Sequence, residues 1–529
     1  MQLFSLLNYK ILFLTVVSTL SDMASIVLLF PTLKILLGSA SPLLESIFRW
    51  IDLELTVIVV CLLEIVLILT AGITKIILLK TIATSTEEIR KDITQRALKA
   101  VYNWNLEDFR KTGATDITRT ILSETDVFVA NSVNPTYTLY LHYFTIFISL
   151  IILFVTDPFS VIVGGGVFFV ILAALFAFVS KNLNHLSTER EDLNRRRFQY
   201  VTDRVDAFED QHFYPYLSKG DERLHNILSS FASTNSSLQL ISQIAKPTFE
   251  LIVFMILIIV AFALSTVNTN ILSDEKLVAI AVALYRLLPG VSGIYQARSQ
   301  FKIGAESKRV IEQLIMNSVE YYTKDMPQTI INISCSGVIM KRGNRLIKAP
   351  LLELQKSKIT LLKGPSGCGK SSFLHVISGL SHHSKGTIKV NGAEGNLFLN
   401  INWFNHVSYV GQKPSFVGNK VRENFTEGDL AKLQDVLLSF GLMNYFENFE
   451  NLLEFNIDEL SGGQLQKIAI ARACIKDSQV LVLDEAMNAQ DPISLENIMS
   501  YFRTQNRIIL LVSHENGIES FCDEVVEFN

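Results

Sequence analysis

Six apolar stretches before about residue 300 are each long enough to cross a lipid bilayer, and they constrain the fold more than any other feature. In hydrocarbon every backbone N–H and C=O must be paired, so an isolated apolar stretch of about 20 residues crosses as a helix. The first stretch runs past Asp22 to Leu37 without a small-residue cleavage site, so we interpret it as a retained helix. The predicted spans are 9–37, 53–80, 135–156, 158–180, 247–268 and 275–297.

Two long polar segments, 81–134 and 181–246, interrupt this series and keep helical periodicity, which predicts helices that continue outside the bilayer. Lys and Arg are concentrated in them, whereas the opposite side of the membrane offers only Lys34, Arg49 and Lys276. Positive loops stay inside, so both segments and both ends of the chain are predicted to lie in the cytosol. We therefore expect a multi-pass protein of the cell membrane, in a bacterium the inner membrane.

From about residue 325 short apolar runs alternate with helical ones and stop at glycine, acid or histidine, as in SKITLLKG and RIILLVSH. This alternation is typical of a mostly parallel α/β sheet with its site at the strand ends. The formal net charge of −4 gives no indication of a nucleic-acid partner.

A phosphate-binding loop of the pattern G-x-x-x-x-G-K-[ST] follows the run ITLLK and precedes a helical stretch. Glycines let the backbone wrap a phosphate, and the N–H groups of a helix start point at the anion. Lys370 is predicted to bind the β- and γ-phosphates and Ser371 to bind Mg²⁺. The predicted ATP-binding residues of this loop are Gly364, Pro365, Ser366, Gly367, Cys368, Gly369, Lys370, Ser371 and Ser372.

A second candidate site ends the apolar run that begins at Val480. Asp484 is predicted to hold Mg²⁺, directly or through water, and Glu485 to polarise the attacking water as a general base. Surface acids at an ordinary strand end are the alternative when this run is taken alone.

The run Leu460-Ser461-Gly462-Gly463-Gln464, followed by LQKIAIARA, resembles the signature of the ABC ATPase family. Ser461 and the glycine N–H groups can form an anion-binding nest at a helix start. The resemblance implies that this loop binds the γ-phosphate of ATP held by a partner domain, so that two domains enclose two nucleotides.

Further positions match this family in order and rough spacing. Gln412 resembles the glutamine that senses Mg²⁺, Asp491 the aspartate of the dimer-contact loop, and His514 the histidine that contacts the γ-phosphate. The resemblance implies that Gln412 and His514 are catalytic together with Glu485, and that Gln412 also belongs to the metal site. The family's adenine-stacking aromatic has no counterpart in ISCSGVIMKRGNRL, which leaves the residue that contacts adenine open.

The order of six spans, two long extensions and an ABC domain resembles the exporter-type half-transporters over essentially the whole chain. The predicted fold is therefore a six-helix all-α transmembrane domain, residues 1–310, followed by an α/β P-loop ATPase domain, residues 325–529. The resemblance implies ATP hydrolysis coupled to export or flipping of an amphipathic substrate, with two copies acting together. It also implies short helices at the tips of the extensions that press on the ATPase domains, for which Asn103–Arg110 and Glu209–Leu217 are the candidates.

Several alternatives remain open from the sequence. The chain could pair with itself or with a different half, and the fold could serve an importer or a regulatory ATPase that gates another membrane protein. A lipid-linked saccharide is the first substrate hypothesis, because Arg286-Leu287-Leu288-Pro289 resembles a run in flippases of lipid-linked oligosaccharides, and a small peptide is the second.

Three charged residues, Asp22, Glu64 and Arg286, are predicted to lie deep in the bilayer. They could line a polar substrate cavity. The alternative is that an Arg286–acid pair fastens the helices together.

Overall fold

A computed structural model provides the structure of the chain. It describes residues 9–36, 57–156, 183–214, 222–318 (without 245, 252–253, 256–257 and 259–273) and 323–528 (without 324, 343–344, 396, 489 and 516). Two compact units are formed, the first by Met1–Tyr102 with Thr112–Ser318 and the second by Asn103–Lys111 with Val319–Asn529. The candidate tip segment Asn103–Arg110 thus falls in the second unit, whereas the helices that flank it belong to the first.

The first unit begins with two long antiparallel helices, α1 (Tyr9–Leu36) and α2 (Val57–Tyr102). At 1.5 Å per residue the 46 residues of α2 extend about 70 Å, more than twice the thickness of a bilayer's hydrocarbon core. From Val57 onward, the predicted span at 53–80 and the start of the polar extension therefore form one uninterrupted helix. Within the described residues this is the one helix that is long and apolar enough to cross a membrane, with a mean hydropathy of 2.3 in its most apolar window.

The next part of the chain is almost entirely helical and runs back through the predicted third span. Two single π-helical turns, Thr120–Glu124 and Val129–Val133, interrupt it. Such turns insert one residue into the α-helical ladder and shift the faces of the helix on either side. The α-helices of this part are α3 (Leu106–Thr112), which belongs to the second unit as far as Lys111, and, in the first unit, α4 (Ala114–Arg119), α5 (Thr125–Phe128) and α6 (Asn134–Thr156).

The remaining helices of the first unit are α7 (183–206), α8 (Phe208–Phe213), α9 (Glu222–Gln243) and α10 (Asp274–Met316). The predicted span at 158–180 and most of the one at 247–268 lie outside the described residues. The candidate tip helix Glu209–Leu217 coincides with α8 as far as Phe213. The predicted sixth span forms the first half of α10, which runs on without interruption through Pro289.

Helices α6 and α10 pack closely because α10 presents glycines to its neighbour. A Cβ at Gly290 would lie 2.7 Å from Ile146 Cγ1, and one at Gly293 would collide with the ring of His142. Small residues at such contacts let two membrane helices approach backbone to backbone. The glycines that follow Pro289 therefore serve packing.

A buried cluster of charges joins α4, the first π turn, α7 and α10. Glu124 is fully buried and accepts hydrogen bonds from Arg119 (2.8 Å), Arg190 (3.1 Å), Asn194 (3.0 Å) and Ser307 (2.6 Å). The four donors come from three separate stretches of sequence, so this carboxylate fastens together helices distant in the chain.

The charges predicted to lie deep in the bilayer have different surroundings. Asp22 lies 4.0 Å from Lys75, which ties α1 to α2. Glu64 is 5% exposed, and neither of its carboxylate oxygens has a hydrogen-bond partner in the described part of the chain. The side chain of Arg286 lies outside the described residues, so the predicted Arg286–acid pair stays a prediction.

The second unit is built on a five-stranded parallel sheet of order β10-β4-β9-β8-β7. The predicted runs SKITLLKG and RIILLVSH and the run that begins at Val480 all belong to it, and β8 and β9 are buried along their whole length because helices cover both faces. Its elements are β4 (Ile359–Lys363), α11 (Lys370–Ile377), α12 (Ile401–His406), β7 (Val407–Val410), α13 (Leu430–Ser439), α14 (Phe449–Glu454), α15 (Gly462–Ile475), β8 (Val480–Asp484), α16 (Pro492–Arg503), β9 (Ile508–Val512) and β10 (Glu524–Glu527).

A second, antiparallel sheet of order β2-β1-β5-β6, with β3 also paired to β1, packs beside α11. No pattern in the sequence predicts this sheet, because its strands are half-exposed and lack the long apolar runs of the parallel strands. Those strands are β1 (Asn332–Arg342), β2 (Arg345–Lys348), β3 (Leu352–Gln355), β5 (Lys385–Val390) and β6 (Ala393–Glu394).

Candidate nucleotide site

The phosphate loop connects the carboxyl end of β4 to the first turn of α11. Gly367 (φ +81°) and Gly369 (φ +117°) adopt backbone conformations that residues with a Cβ rarely take, which is why the loop requires glycine there. Lys370 is 5% exposed, and its Nζ donates to the carbonyl oxygens of Gly364 (2.7 Å) and Pro365 (2.9 Å). The lysine therefore lies folded against its own loop, with its charge beside the backbone that would wrap a phosphate.

Ser371 and Asp484 meet at the base of this loop. The Ser371 hydroxyl donates to Asp484 Oδ1 at 3.0 Å, and the hydroxyl of Tyr409 donates to Oδ2 at 3.1 Å. Burial raises the pKa of Asp484, although both hydrogen bonds and Arg110 oppose the shift. Burial and the neighbouring Asp484 likewise raise the pKa of Tyr409, so this hydroxyl stays protonated and remains a donor.

This pair fits the requirements of Mg²⁺. A serine hydroxyl and a carboxylate are the hard oxygen donors that Mg²⁺ selects, and a divalent cation would favour the charged form of the buried Asp484. Within the described residues no cluster of three or more His, Cys, Asp or Glu side chains suited to a metal occurs. The fit therefore rests on Ser371 and Asp484, together with phosphate oxygens supplied by a bound nucleotide.

Glu485 is the centre of a second group of polar side chains. It directly follows β8 and adopts a left-handed backbone conformation (φ +54°), which is strained for a residue with a side chain. Gln412 Nε2 donates to Glu485 Oε2 at 2.8 Å, and His514 Nε2 lies 3.6 Å from Oε1. The structure thus brings together the three residues predicted to be catalytic, which stand in three separate parts of the sequence.

Asn488 is a member of this group that the sequence analysis missed. Its Nδ2 donates to Glu485 Oε2 at 3.3 Å, while its Oδ1 accepts from the Ser513 hydroxyl at 3.2 Å and faces the backbone N–H of His514. The amide therefore bridges the loop after β8 to the loop after β9. Its position three residues after Glu485 is the one signal in the sequence that could have found it.

The signature loop forms the start of α15, as an anion nest requires. Ser461 caps this helix by accepting from Gln464 N (3.3 Å), while the Gln464 side chain accepts from Ser461 N (2.8 Å), so the pair closes a capping box. Ser461 and Gly462 are both exposed, and within the described residues nothing lies within 4 Å of a Cβ placed at Gly462. The loop is therefore open on the side where a second chain could approach.

Asp491 caps α16 by accepting from Ser494 N at 2.9 Å. The Nζ of buried Lys467, on α15, donates to the Ser494 hydroxyl at 2.6 Å and lies 3.7 Å from Asp491 Oδ2. Burial lowers the pKa of Lys467, whereas hydrogen bonds from Ser494 lower the pKa of Asp491. These bonds fix the signature helix to the loop after Glu485, and the predicted contact of Asp491 with a partner stays a prediction.

Comparison with family models assigns both halves of the chain. Residues 9–287, more than half of the chain, match the model of the ABC transporter transmembrane region, and residues 347–488 match the ABC transporter model. The chain belongs to the ABC transporter family. The predicted fusion of an exporter-type membrane domain to an ABC domain is thereby confirmed, and the chain is a membrane protein with an ATP-binding domain.

A bacterial Atm1-family ABC exporter with ATP bound shares this fold, with a TM-score of 0.80 over 98% of this chain and 92% of that one, at 14% sequence identity. This likeness confirms the predicted exporter-type fold: helical transmembrane domain first, α/β ATPase domain second.

Relatives with described roles match over about a third of the chain. A lactococcin-G-processing and transport ATP-binding protein of Lactococcus lactis is 30% identical over 181 residues, 32% of this chain and 26% of that protein. An ATP-dependent lipid A-core flippase of Pseudomonas fluorescens is 31% identical over 172 residues, 30% of this chain and 29% of that protein. An ATP-dependent permease of Candida albicans is 30% identical over 192 residues, 34% and 28% of the two chains. The ABC transporter chain thus spans about a quarter of the length of these relatives.

Proposed function

We propose that this ABC transporter chain is one half of a dimeric exporter, which hydrolyses ATP to move an amphipathic molecule outward across the membrane. The observation that carries the proposal is the complete hydrolytic group, in which Gln412 and His514 flank the carboxylate of Glu485 beside the Asp484–Ser371 pair. A regulatory ATPase can lose ATP hydrolysis and still function, so an intact set of hydrolytic residues favours a transporter over a regulator.

Each part of the site has a role in this proposal. Lys370 leaves its own loop to bind the β- and γ-phosphates, and Ser371 and Asp484 hold Mg²⁺, which offsets the phosphate charge when bound. Glu485 orients the attacking water and accepts its proton. Gln412 holds the carboxylate of Glu485 in place, and His514 contacts the γ-phosphate. Ser461, Gly462, Gly463 and Gln464 of one copy complete the pocket of the other. Binding then closes the two ATPase domains, and hydrolysis resets them.

We propose a lipid-linked saccharide as the first candidate substrate and a small peptide as the second. Among the relatives, one is an ATP-dependent lipid A-core flippase and one a lactococcin-G-processing and transport protein, and the first of these supports a lipid-bearing substrate. We propose residues 1–310 as the transmembrane domain, residues 325–529 as the ATPase domain, and the bacterial inner membrane as the location.

Inside-out membrane vesicles test both the activity and its direction. With ATP they should accumulate a fluorescent lipid-linked saccharide in the lumen or its inner leaflet, and Glu485→Gln vesicles should not. In the variant, turnover should fall at least about a hundredfold, because a general base contributes that much or more.

Two results would contradict the proposal. ATP-driven loss of the probe from loaded inside-out vesicles would indicate an importer. Steady ATPase activity with no movement of either substrate class would indicate a regulatory ATPase.

A further inference from the structure

A histidine outside every recognised motif is connected to the metal-binding carboxylate. His375 lies on α11, is 5% exposed, and its Nε2 is 3.0 Å from the hydroxyl of Tyr409. That hydroxyl donates to Asp484 Oδ2, whose partner oxygen Oδ1 accepts from Ser371. A chain of four polar side chains therefore runs from inside the domain to the floor of the phosphate loop.

The fold explains why these four side chains meet. Ser371 and His375 are one turn apart on the same face of α11, the face that covers the parallel sheet. Tyr409 pairs with Val482 in the β7–β8 register, so Tyr409 and Asp484, two residues beyond Val482, point to the same side of the sheet. One helix face thus reaches both oxygens of Asp484, directly through Ser371 and through Tyr409 from His375.

The number of protons fixes the direction of the chain. Tyr409 has one hydroxyl proton, and donating it to Asp484 leaves its oxygen to accept a hydrogen bond. His375 must then donate from Nε2, because an unprotonated Nε2 would compete with Asp484 for the tyrosine proton. With the proton on His375 Nε2, the tyrosine proton can go only to Asp484. The hydrogen bond from Tyr409 then fixes Oδ2 of the carboxylate, the oxygen that does not contact Ser371.

We propose that His375 is a positioning residue for the Mg²⁺ site. By donating to Tyr409 it directs the tyrosine proton to Asp484 Oδ2, which orients the carboxylate so that Oδ1 and Ser371 face the cation. A buried histidine that merely completes the core of α11 would have no such effect on metal binding. The inference rests on the proposed ATPase function, and it assigns a role to two residues that the motifs do not include.

The test measures metal binding without turnover, in the full chain carrying Glu485→Gln. The affinity of the ATP-loaded protein for Mn²⁺, a spectroscopic substitute for Mg²⁺, is measured by electron paramagnetic resonance. Replacing His375 by Leu should weaken Mn²⁺ binding about three- to tenfold. This is the effect expected for loss of one hydrogen bond, here the bond from His375 to Tyr409, which in turn donates to the Asp484 carboxylate. Tyr409→Phe should have a similar effect, and the double variant should be no worse than either single one.

Matched controls separate positioning from damage to the helix. His375→Gln keeps a side-chain N–H donor and should restore Mn²⁺ affinity close to that of the parent. Ser378→Ala removes another buried hydrogen bond of the same helix region, from Ser378 Oγ to the Leu374 carbonyl at 2.6 Å, and should leave Mn²⁺ affinity unchanged. In EDTA, ATP binding should be the same in every variant.

Unchanged Mn²⁺ affinity in His375→Leu would overturn the inference. So would additive losses in the double variant, or an equal loss of ATP binding in EDTA. A different result would contradict the proposed function. In that case the parent protein would bind ATP and Mn²⁺ normally, but the chain with Glu485 restored would neither hydrolyse ATP nor transport a substrate.

Discussion

Cys368 places a thiol inside the phosphate loop, where its Sγ lies 4.0 Å from Lys370 Nζ. Burial raises the pKa of Cys335 and of Cys474 to about 12 and that of Cys522 to about 11, so these thiols are poor nucleophiles at neutral pH. We expect a maleimide to modify Cys368 before these three cysteines and to abolish most ATPase activity, because the adduct fills the phosphate position. Bound ATP should protect the protein.

The control for this prediction is Cys368→Ser, which should stay active and become insensitive to the reagent. Peptide mass spectrometry identifies the modified thiol. Full ATPase activity in protein alkylated at Cys368 would contradict the placement of the phosphate in this loop.

Asn488 is expected to matter for turnover although no motif includes it. It contacts Glu485 and also accepts from Ser513, so Asn488→Leu would remove one of the two hydrogen bonds to Glu485 Oε2 and the acceptor of the Ser513 hydroxyl proton. Loss of a hydrogen bond to a charged group predicts a fall in kcat of about tenfold or more, with ATP affinity almost unchanged. Single-turnover ATPase assays measure it, and a rise in KM with normal kcat would assign Asn488 to binding instead.

Site residues that belong to one short sequence motif could be predicted from the sequence. Those that meet only because two strands pair in a particular register could not. The glycines and lysine of the phosphate loop are local to one strand–helix turn, so the pattern alone places them. Tyr409 reaches Asp484 only because β7 lies beside β8 with Tyr409 opposite Val482. Nothing within either stretch of sequence specifies that pairing.

At the scale of elements, the charge cluster around Glu124 fastens together three helical segments. Removing this carboxylate leaves the guanidinium groups of Arg119 and Arg190, 1% and 5% exposed, without their shared partner. Breaking a buried ion pair from one side costs about 3–5 kcal/mol. Glu124→Ala should therefore lower the thermal unfolding temperature of the detergent-solubilised protein markedly.

A matched surface pair provides the control for this experiment. Glu107 and Lys111 form an ion pair in which both side chains are about two-thirds exposed, and such pairs contribute little. Glu107→Ala should leave the unfolding temperature nearly unchanged. Equal shifts in the two variants would mean that the buried cluster does not fasten the helices.

The long helices could be predicted because apolar length and periodicity extend over many turns. The predicted continuation of the second span as helix beyond residue 80 is confirmed by α2, which runs without a break to Tyr102. The π turns at Thr120 and Val129 could not be foreseen, because they arise where α10 packs against the helix and no residue type specifies them.

For the whole molecule, two loops of the ATPase domain are open on one side in the single chain. Within the described residues, nothing lies within 4 Å of a Cβ placed at Gly367 in the phosphate loop or at Gly462 in the signature loop. Each loop presents backbone N–H groups suited to phosphate oxygens. A second copy related by two-fold symmetry would place each signature loop over the other's phosphate loop, which is the arrangement that the proposed dimer requires.

The native Cys368 allows this dimer to be tested with one substitution. In Ser461→Cys membranes washed free of nucleotide, which leaves Cys368 accessible to the reagent, the new thiol of one copy should face Cys368 of the other across the phosphate position, so a short bifunctional maleimide should give a band of twice the chain mass on a denaturing gel. The same reagent should give almost none in Ser461→Cys/Cys368→Ser, which retains Cys61, Cys335, Cys474 and Cys522. If the doubled band persisted in that control, or failed to form in membranes that hydrolyse ATP, the two loops would not share a nucleotide. The proposal that two copies share each ATP site would then be wrong, and the ATP site would have to be formed by one chain alone.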